Sequence, residues 1–320
     1  MIGVGVIGAG YWGQKHLDEF SRMPSRCSLE AASDLSPVNL EKCKAFGVKR
    51  TYLDYHDLLA DSAVKAVSIC TNNETHFEVA KAALLAGKHV LVEKPLTLEV
   101  ETSRELVALA KEKGLSLHVG HLYRFNAALI RLRAFIQSGG FGKIYFIKVQ
   151  FTNHNGVVPG RSVLMDLAPH AVDICNFLTG RWAKSTVSFG HKFRRHDLEE
   201  VTFTESDLGD GMRMYGEFSW LLPDKKRQVY VSGANTCAVV DLGSQQLTIH
   251  EVITDKQNRE GKIKSSRIEP VTPSNALGDE LASFVSHCES STSEPINSGE
   301  IGLRTVEALL SCKHIDQGKP

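Results

Sequence analysis

Four groups of residues in this 320-residue chain have types and spacings suited to chemistry. The first is Gly8-Ala9-Gly10-Tyr11-Trp12-Gly13, directly after the apolar run Ile2–Ile7 and directly before an amphipathic stretch. Such a loop serves a dinucleotide. Gly8 permits a tight turn, Gly10 lets backbone amides approach a pyrophosphate, and Gly13 lets the next helix lie close to the strand. The helix that begins at Tyr11 and Trp12 would then offer free amides and a positive dipole end to the anion. The second is Asp34, about twenty positions further on, where a carboxylate accepts a ribose 2′-hydroxyl and repels a 2′-phosphate. Leu35, Ser36 and Pro37 bring no arginine to clamp such a phosphate, so NAD is expected rather than NADP. The third is Lys94, just past the apolar run His89–Val92 and hence at the carboxyl edge of a parallel sheet. An ammonium there lowers the pKa of a bound hydroxyl and stabilises the alkoxide that forms as hydride departs. Lys94–Pro95 can be cis, although trans is the commoner form. The fourth is Asp166 with His170. Pro169 predicts that His170 lies in the first turn of a helix, whose dipole would keep the imidazole neutral and able to take a proton. Asp166 reads equally as the N-cap of that helix or as a group that touches substrate or orients His170. On residue type alone, His170 among apolar neighbours could be a packing residue.

These groups need elements to hold them. Short apolar strands at Ile2–Ile7, Ser28–Ser33, Arg50–Tyr52, Ala66–Cys70, His89–Val92 and Ser116–Val119 alternate with helical patterns, which predicts a parallel α/β sheet of Rossmann type over residues 1–120. Beyond Gly120 the pattern changes. Lys143–Thr152, Thr186–Phe193, Val201–Ser206, Met212–Trp220, Gln228–Ser232 and Cys237–Asp241 alternate without intervening helices, so residues 121–320 are expected to form an α+β domain on a large, open, mainly antiparallel sheet. Helices near Asp166–Leu178 and Ala276–Ser290 interrupt or flank that sheet; a last helix, Ser298–Cys312, could pack on either domain.

Composition narrows the partners. The 37 basic and 37 acidic residues balance, which argues against a nucleic-acid partner. The short runs Lys225-Lys226-Arg227 and His191-Lys192-Phe193-Arg194-Arg195-His196 read as exposed turns or strand edges. No stretch approaches a membrane span, and no leader pattern precedes the first strand. Seven scattered cysteines without a Cys-x-x-Cys indicate neither a disulfide framework nor a metal site, and the cytoplasm is the expected location.

Two further segments carry a resemblance. Ser68-Ile69-Cys70-Thr71-Asn72-Asn73-Glu74-Thr75-His76 and Ala86-Gly87-Lys88-His89-Val90-Leu91-Val92-Glu93-Lys94-Pro95-Leu96 resemble the glucose–fructose oxidoreductase / inositol dehydrogenase / MocA family, of which Glu-Lys-Pro is the most specific mark. Asp166-Leu167-Ala168-Pro169-His170-Ala171-Val172-Asp173 and Asn297-Ser298-Gly299-Glu300 extend the likeness over essentially the whole chain. It departs at Asn72, where the family usually has proline, and at Ala171, where many sugar-nucleotide members have aspartate. The resemblance implies hydride transfer between NAD(P) and a hydroxyl or keto carbon of a sugar, polyol or sugar nucleotide. It also implies that Thr71, Asn73, His76, Glu93 and Lys94 face the cofactor, and that His170 is the acid/base, assisted by Lys94 and Asp166. Asp173 would lie one turn on, at a surface or against substrate. His121-Leu122-Tyr123-Arg124-Phe125-Asn126 would line the substrate pocket, Tyr123 and Arg124 foremost, with Asn153 on the loop that runs through Pro159 and Gly160. A homo-oligomer, dimer or tetramer, would form through the open sheet. Two other functions stay open: a redox-neutral, NAD-dependent glycoside hydrolase and a non-catalytic NAD-binding sensor.

Overall fold

A computed structural model describes residues 1–156, 160–194, 196–255, 260–290 and 294–315, so Pro159 and Arg195 lie outside the described residues. The chain divides into two compact units. One is Met1–Leu122 with Asn275–Glu307; the other is Tyr123–Ser274 with the chain from Ala308 onward.

In the first unit, β1 (Ile2–Ile7), β2 (Cys27–Ser33), β3 (Arg50–Tyr52), β4 (Ala66–Ile69), β5 (His89–Val92) and β6 (Leu117–Val119) form one sheet in the order β3-β2-β1-β4-β5-β6. Every adjacent pair is parallel. Between them run α1 (Tyr11–Ser21), α2 (Pro37–Cys43), α3 (Tyr55–Ala60), α4 (His76–Leu85) and α5 (Val100–Lys113). Helices cover both faces, so the inner strands are apolar on both, and all six residues of β1 are buried; the edge strand β3 is largely exposed. Ile7, Val67, Ile69, Val90 and Val92 pack with Val79, Leu84 and Leu106 from α4 and α5. Val4, Val6, Ala66 and Leu91 pack with Leu17 and Phe20 of α1. The strand order turns back between β1 and β4, and open α/β sheets bind ligands at the carboxyl ends beside such a point.

Two helices from the far end of the chain join this unit: α8 (Ala276–Glu289) and the N-terminal part of α9 (Gly299–Leu310). Leu281, Phe284 and Val285 of α8 complete the layer against α1 and β1, whereas chain order had placed this helix with the second sheet. Its apolar stripe, not its position in the chain, selects the surface it covers. The segment before α9 is tied to β6. Val119 N–H donates to the Asn297 carbonyl at 2.9 Å. The Asn297 amide donates to the Val119 carbonyl at 2.8 Å and to Glu280 at 3.1 Å. His118 Nδ1 lies 3.0 Å from the Asn297 side-chain oxygen.

Among the described residues, the second unit is built on nine strands: β7 (Ile144–His154), β8 (Ser185–His191), β9 (Val201–Gly209), β10 (Met212–Ser219), β11 (Leu221–Gly233), β12 (Thr236–Asp241), β13 (Gln246–Asp255), β14 (Glu260–Ile268) and β15 (Lys313–His314). Their order is β14-β13-β12-β11-β7-β10-β9-β8-β15. The sheet is mixed rather than purely antiparallel, because β7 runs parallel to β10 and β15 parallel to β8. Alternation reveals that a segment is a strand but not its direction. α6 (Ala127–Gln137) and α7 (Val163–Thr179) pack on one face over Ile147, Val149, Phe151, Phe218, Trp220 and Val229. The sequence had not marked α6, β13 or β14. The signal for α6 is Asn126, whose side chain accepts the amides of Ala128 and Leu129 as an N-cap.

His118 makes the fold pH-sensitive. Burial, with His287 and His89 adding their charge, pushes its pKa from 6.5 down to about 3. The unfolded chain therefore binds a proton there that the folded chain refuses. The contribution is complete above pH 6.5 and is lost as pH falls towards about 3. His118→Gln is expected to flatten the acid limb of stability, measured by urea unfolding at neutral and acid pH; an unchanged slope would assign that limb to other groups.

Candidate active site

The glycine loop begins where β1 ends. Gly8 has φ +88 and its Cα lies so close to β4 that a Cβ would stand 2.8 Å from the Cys70 carbonyl carbon. A Cβ on Gly13 would run into the Gly8 carbonyl oxygen, so glycine is what lets α1 lie against the strand. Gly10 differs: nothing lies within 4 Å of where its Cβ would be, and it is the N-cap of α1 with no side chain capping the first turn. The turn is thus dense underneath and open above, a shape that fits a dinucleotide pyrophosphate. Tyr11 is 76% and Trp12 39% exposed at its rim.

Asp34 closes one side of the loop. One oxygen accepts the Ala9 amide at 2.7 Å; the other accepts the Ser36 amide at 2.8 Å and the Asn39 side chain at 3.2 Å. A carboxylate has about four acceptor sites, which leaves capacity for a ribose hydroxyl. On the other side, Thr71 receives the Thr75 hydroxyl at 2.9 Å, and Asn73 opens a 3₁₀ turn into α4. His76 is buried, its ring nitrogens 2.8 Å from the Pro95 carbonyl and 3.2 Å from that of Thr71. Burial lowers its pKa, and the neutral ring, with a single N–H, donates to one of these two carbonyls at a time. Beyond β5, Glu93 is buried with Oε1 3.2 Å from His16 Nε2, while Oε2 accepts the Lys94 amide at 3.1 Å. Burial opposes its charge, but His16 and Lys94 hold its pKa below the ordinary value. Lys94 follows, half-buried, and the Lys94–Pro95 peptide is cis, not the commoner trans form.

The second unit gathers a different set. α7 starts at Val163 with Ser162 as its N-cap, the hydroxyl accepting the Met165 amide at 3.3 Å. Asp166 is therefore a first-turn residue rather than the cap, and its carboxylate pairs with Arg161 at 3.1 Å. Pro169 lies inside the helix, so His170 is not in the first turn and the dipole argument for its neutrality does not apply. Lacking an N–H, Pro169 withholds the helical bond from the Met165 carbonyl four residues back. The His170 ring meets Tyr123 edge-on at 5.0 Å and Phe151 at 5.9 Å. Asn153, at the end of β7, accepts a bond from Arg227 at 2.8 Å.

Arg124 and Asp173 have a different setting. Both are buried; Arg124 Nε donates to Asp173 at 2.6 Å and Nη2 to Asn176 at 2.7 Å. Asp173 is accordingly no surface residue: it holds α7 to the segment that carries Tyr123. One residue escaped the sequence. Arg227 was grouped with Lys225 and Lys226 as an exposed run, yet its guanidinium lies 5.1 Å over Phe151 and also bonds the Thr152 carbonyl at 3.0 Å. Burial lowers its pKa against the opposing pull of Tyr123 and Asp166, and burial raises that of Tyr123 against the pull of Arg227. Extending the alternation of β11 back from Val229 and Val231 puts Arg227 on the core side. The second basic run is exposed as expected at Lys192, Phe193, Arg194 and His196, and Arg194 also pairs with the buried Glu200 at 2.7 Å. Among the described residues no cluster of His, Cys, Asp and Glu could hold a metal ion, and no helix is long and apolar enough to cross a membrane.

Comparison with known proteins bears on both units. A sequence model described as the oxidoreductase family, NAD-binding Rossmann fold, matches residues 2–121, and one for the GFO/IDH/MocA C-terminal domain matches 129–239. The UDP-N-acetylglucosamine 3-dehydrogenase of Acidithiobacillus ferrooxidans is 34% identical over 55% of this chain and 54% of its own. The inositol 2-dehydrogenase/D-chiro-inositol 3-dehydrogenase of Lactiplantibacillus plantarum is 29% identical over 60% and 57%. The chain thus spans little more than half the length of the curated relatives it matches. Among solved structures, that of the Acidithiobacillus enzyme superposes with a TM-score of 0.83 at 25% identity, covering 97% of this chain and 95% of its own. A putative oxidoreductase from Magnetospirillum magnetotacticum MS-1 gives 0.83 at 27% identity, covering 98% and 99%.

The crowding at Gly13 makes the nucleotide site testable. Gly13→Ala forces α1 away from Gly8 and is expected to weaken NADH binding by about tenfold or more, roughly 1.4 kcal/mol, in a fluorescence titration. Unchanged affinity would mean that the dinucleotide does not use this turn. With its two matched segments and a strand order of β3-β2-β1-β4-β5-β6, the chain belongs to the GFO/IDH/MocA family of oxidoreductases, with an NAD-binding Rossmann fold at its N-terminus.

Proposed function

We propose that the protein is an NAD-linked dehydrogenase or reductase of a CH–OH group on a sugar-like substrate. The observation that carries this is the shared edge of the first sheet: the glycine turn after β1 and Lys94 after β5 both stand at its carboxyl end. NAD, when bound on the glycine turn, supplies the hydride acceptor. The Lys94 ammonium stabilises the negative charge that develops on the substrate oxygen. His170 takes the hydroxyl proton in oxidation and returns it in reduction. Tyr123, Asn153 and Asp166 supply hydroxyl, amide and carboxylate groups of the kinds that recognise a polyol. The names of the relatives, which include inositol, levoglucosan and UDP-N-acetylglucosamine dehydrogenases, support this substrate class. Asp34 supports NAD over NADP, because its carboxylate borders the loop and no arginine follows it. A homo-oligomer through the outward sheet face is part of the same proposal; Phe203 and Tyr215 are 46% and 38% exposed there. So is a cytoplasmic location.

The test is a screen of inositols, aldoses and UDP-sugars with NAD and with NADP, read as reduced-cofactor fluorescence. Turnover with at least one polyol or sugar is expected, with NAD favoured. Lys94→Ala and His170→Ala should each lower kcat by about 100-fold or more while NADH still binds. Near-native turnover in either variant would remove that residue from the mechanism. Cleavage of a glycoside without net NADH would replace the dehydrogenase by a redox-neutral hydrolase. Tight NADH binding with no turnover at all would favour a sensor.

A further inference from the structure

Beneath the glycine turn lies a polar cluster centred on His16, a residue to which the proposed chemistry gives no role. His16, on α1, has no exposed surface. Its Nδ1 lies 2.8 Å from the Ser68 hydroxyl on β4 and its Nε2 3.2 Å from Glu93 Oε1 beyond β5. The Trp12 ring meets it edge-on at 6.5 Å. Cys70, with its sulfur 3.8 Å from the Ser68 hydroxyl, completes the surroundings. Burial alone would discharge the ring, but the Cys70 sulfur and the Glu93 carboxylate outweigh it and raise the His16 pKa well above 6.5.

The two Glu93 oxygens have separate tasks. Oε1 faces the imidazole, and Oε2 accepts the backbone N–H of Lys94 at 3.1 Å. The carboxylate is also confined, since a Cβ on Gly120 would stand 2.9 Å from its Cδ. A buried charge pair adds little to stability compared with apolar packing of the same volume, yet parting it is costly. Its use here is geometric. It links the helix that carries the glycine turn to the backbone from which Lys94 projects.

We propose that His16 is a positioning residue for Lys94, acting through Glu93: the imidazole N–H fixes the carboxylate, and the carboxylate fixes the Lys94 amide. This rests on the role proposed above for Lys94. Replacing Glu93 by glutamine leaves one oxygen where two donors converge, so either His16 or the Lys94 amide loses its acceptor. Replacing His16 by glutamine leaves Glu93 without the imidazole and free to take up a proton. In both cases Lys94 is displaced while Gly8, Gly10 and Gly13 keep their places.

The experiment uses His16→Gln, Glu93→Gln and the double variant in the full chain, with three measurements. Turnover on the best compound from the screen is expected to fall about tenfold or more in each single variant, the scale of a misplaced catalytic group. NADH affinity by fluorescence should stay near the native value in His16→Gln, whose side chain is not among the cofactor-facing residues. The double variant should lose no more than either single one, because both act along one path. Nitrogen-15 NMR of the imidazoles supplies a readout that needs no turnover: His16 Nε2 should carry a proton in the native protein, and its resonance should shift in Glu93→Gln. Should His16→Gln fail to fold, Glu93→Gln alone carries both the kinetic and the NMR comparison. Additive losses, a fall in NADH affinity in His16→Gln that tracks kcat, or a His16 Nε2 without a proton in the native protein would each overturn the proposal. A native protein that oxidises none of the screened compounds refutes the proposed function itself, whereas a His16 resonance unmoved in Glu93→Gln refutes only this inference.

Discussion

The nucleotide end of the first unit depends on one close backbone crossing. Gly8 turns in the left-handed region against the carbonyl of Cys70, and Gly13 stands so near the Gly8 oxygen that no side chain fits between them. Only that proximity aims the first turn of α1 along the carboxyl edge of the sheet, where its uncapped amides and the dipole can meet an anion. The sheet order supplies the rest. Because the chain turns back between β1 and β4, the loops after these strands border one crevice, and β5 delivers Glu93 and Lys94 to the same edge. Displacing the crossing would move Asp34, held by the Ala9 amide, along with it.

The second unit holds its candidate groups by a different device. His170 and Tyr123 are braced by aromatic contacts and by a layer of charge beneath them. The buried Arg124–Asp173 pair, extended to Asn176, locks the Tyr123 segment onto α7. Arg227 lies across Phe151 and reaches Asn153 and the Thr152 carbonyl. Rotamers fixed by packing and by supporting hydrogen bonds are what a site needs if its groups are to meet substrate in one geometry. The interior lock has a cost, since breaking either partner of a buried pair leaves an uncompensated charge.

Much of this was legible in the residues. Strands buried on both faces are compact apolar runs, so β1 and β5 fall at the ends that the sequence marks, and the glycine spacing with Asp34 locates the nucleotide loop. What escaped depends on partners distant in the chain. The parallel pairing of β7 with β10 leaves no mark in either strand. α8 reads as a helix, but its attachment to α1 and β1 through Phe284 is a property of the assembled surface. Pro169 suggested a helix start because proline is tolerated there, yet the helix runs on from Ser162 and absorbs it. Arg227 looked like one member of a basic run, and strand register, not residue type, turns it towards Phe151. His16 gave no sequence signal at all, since Ser68 and Glu93 meet it only across the sheet.

We propose that one sheet edge presents both the dinucleotide and the lysine that acts on the alcohol. A crystal structure of the NAD complex tests it most directly. The pyrophosphate is expected on the amides of Tyr11 and Trp12, the adenosine ribose on Asp34, and the nicotinamide ring on the side of Lys94. A dinucleotide bound elsewhere, or reversed so that its adenine lies beside Lys94, would contradict it.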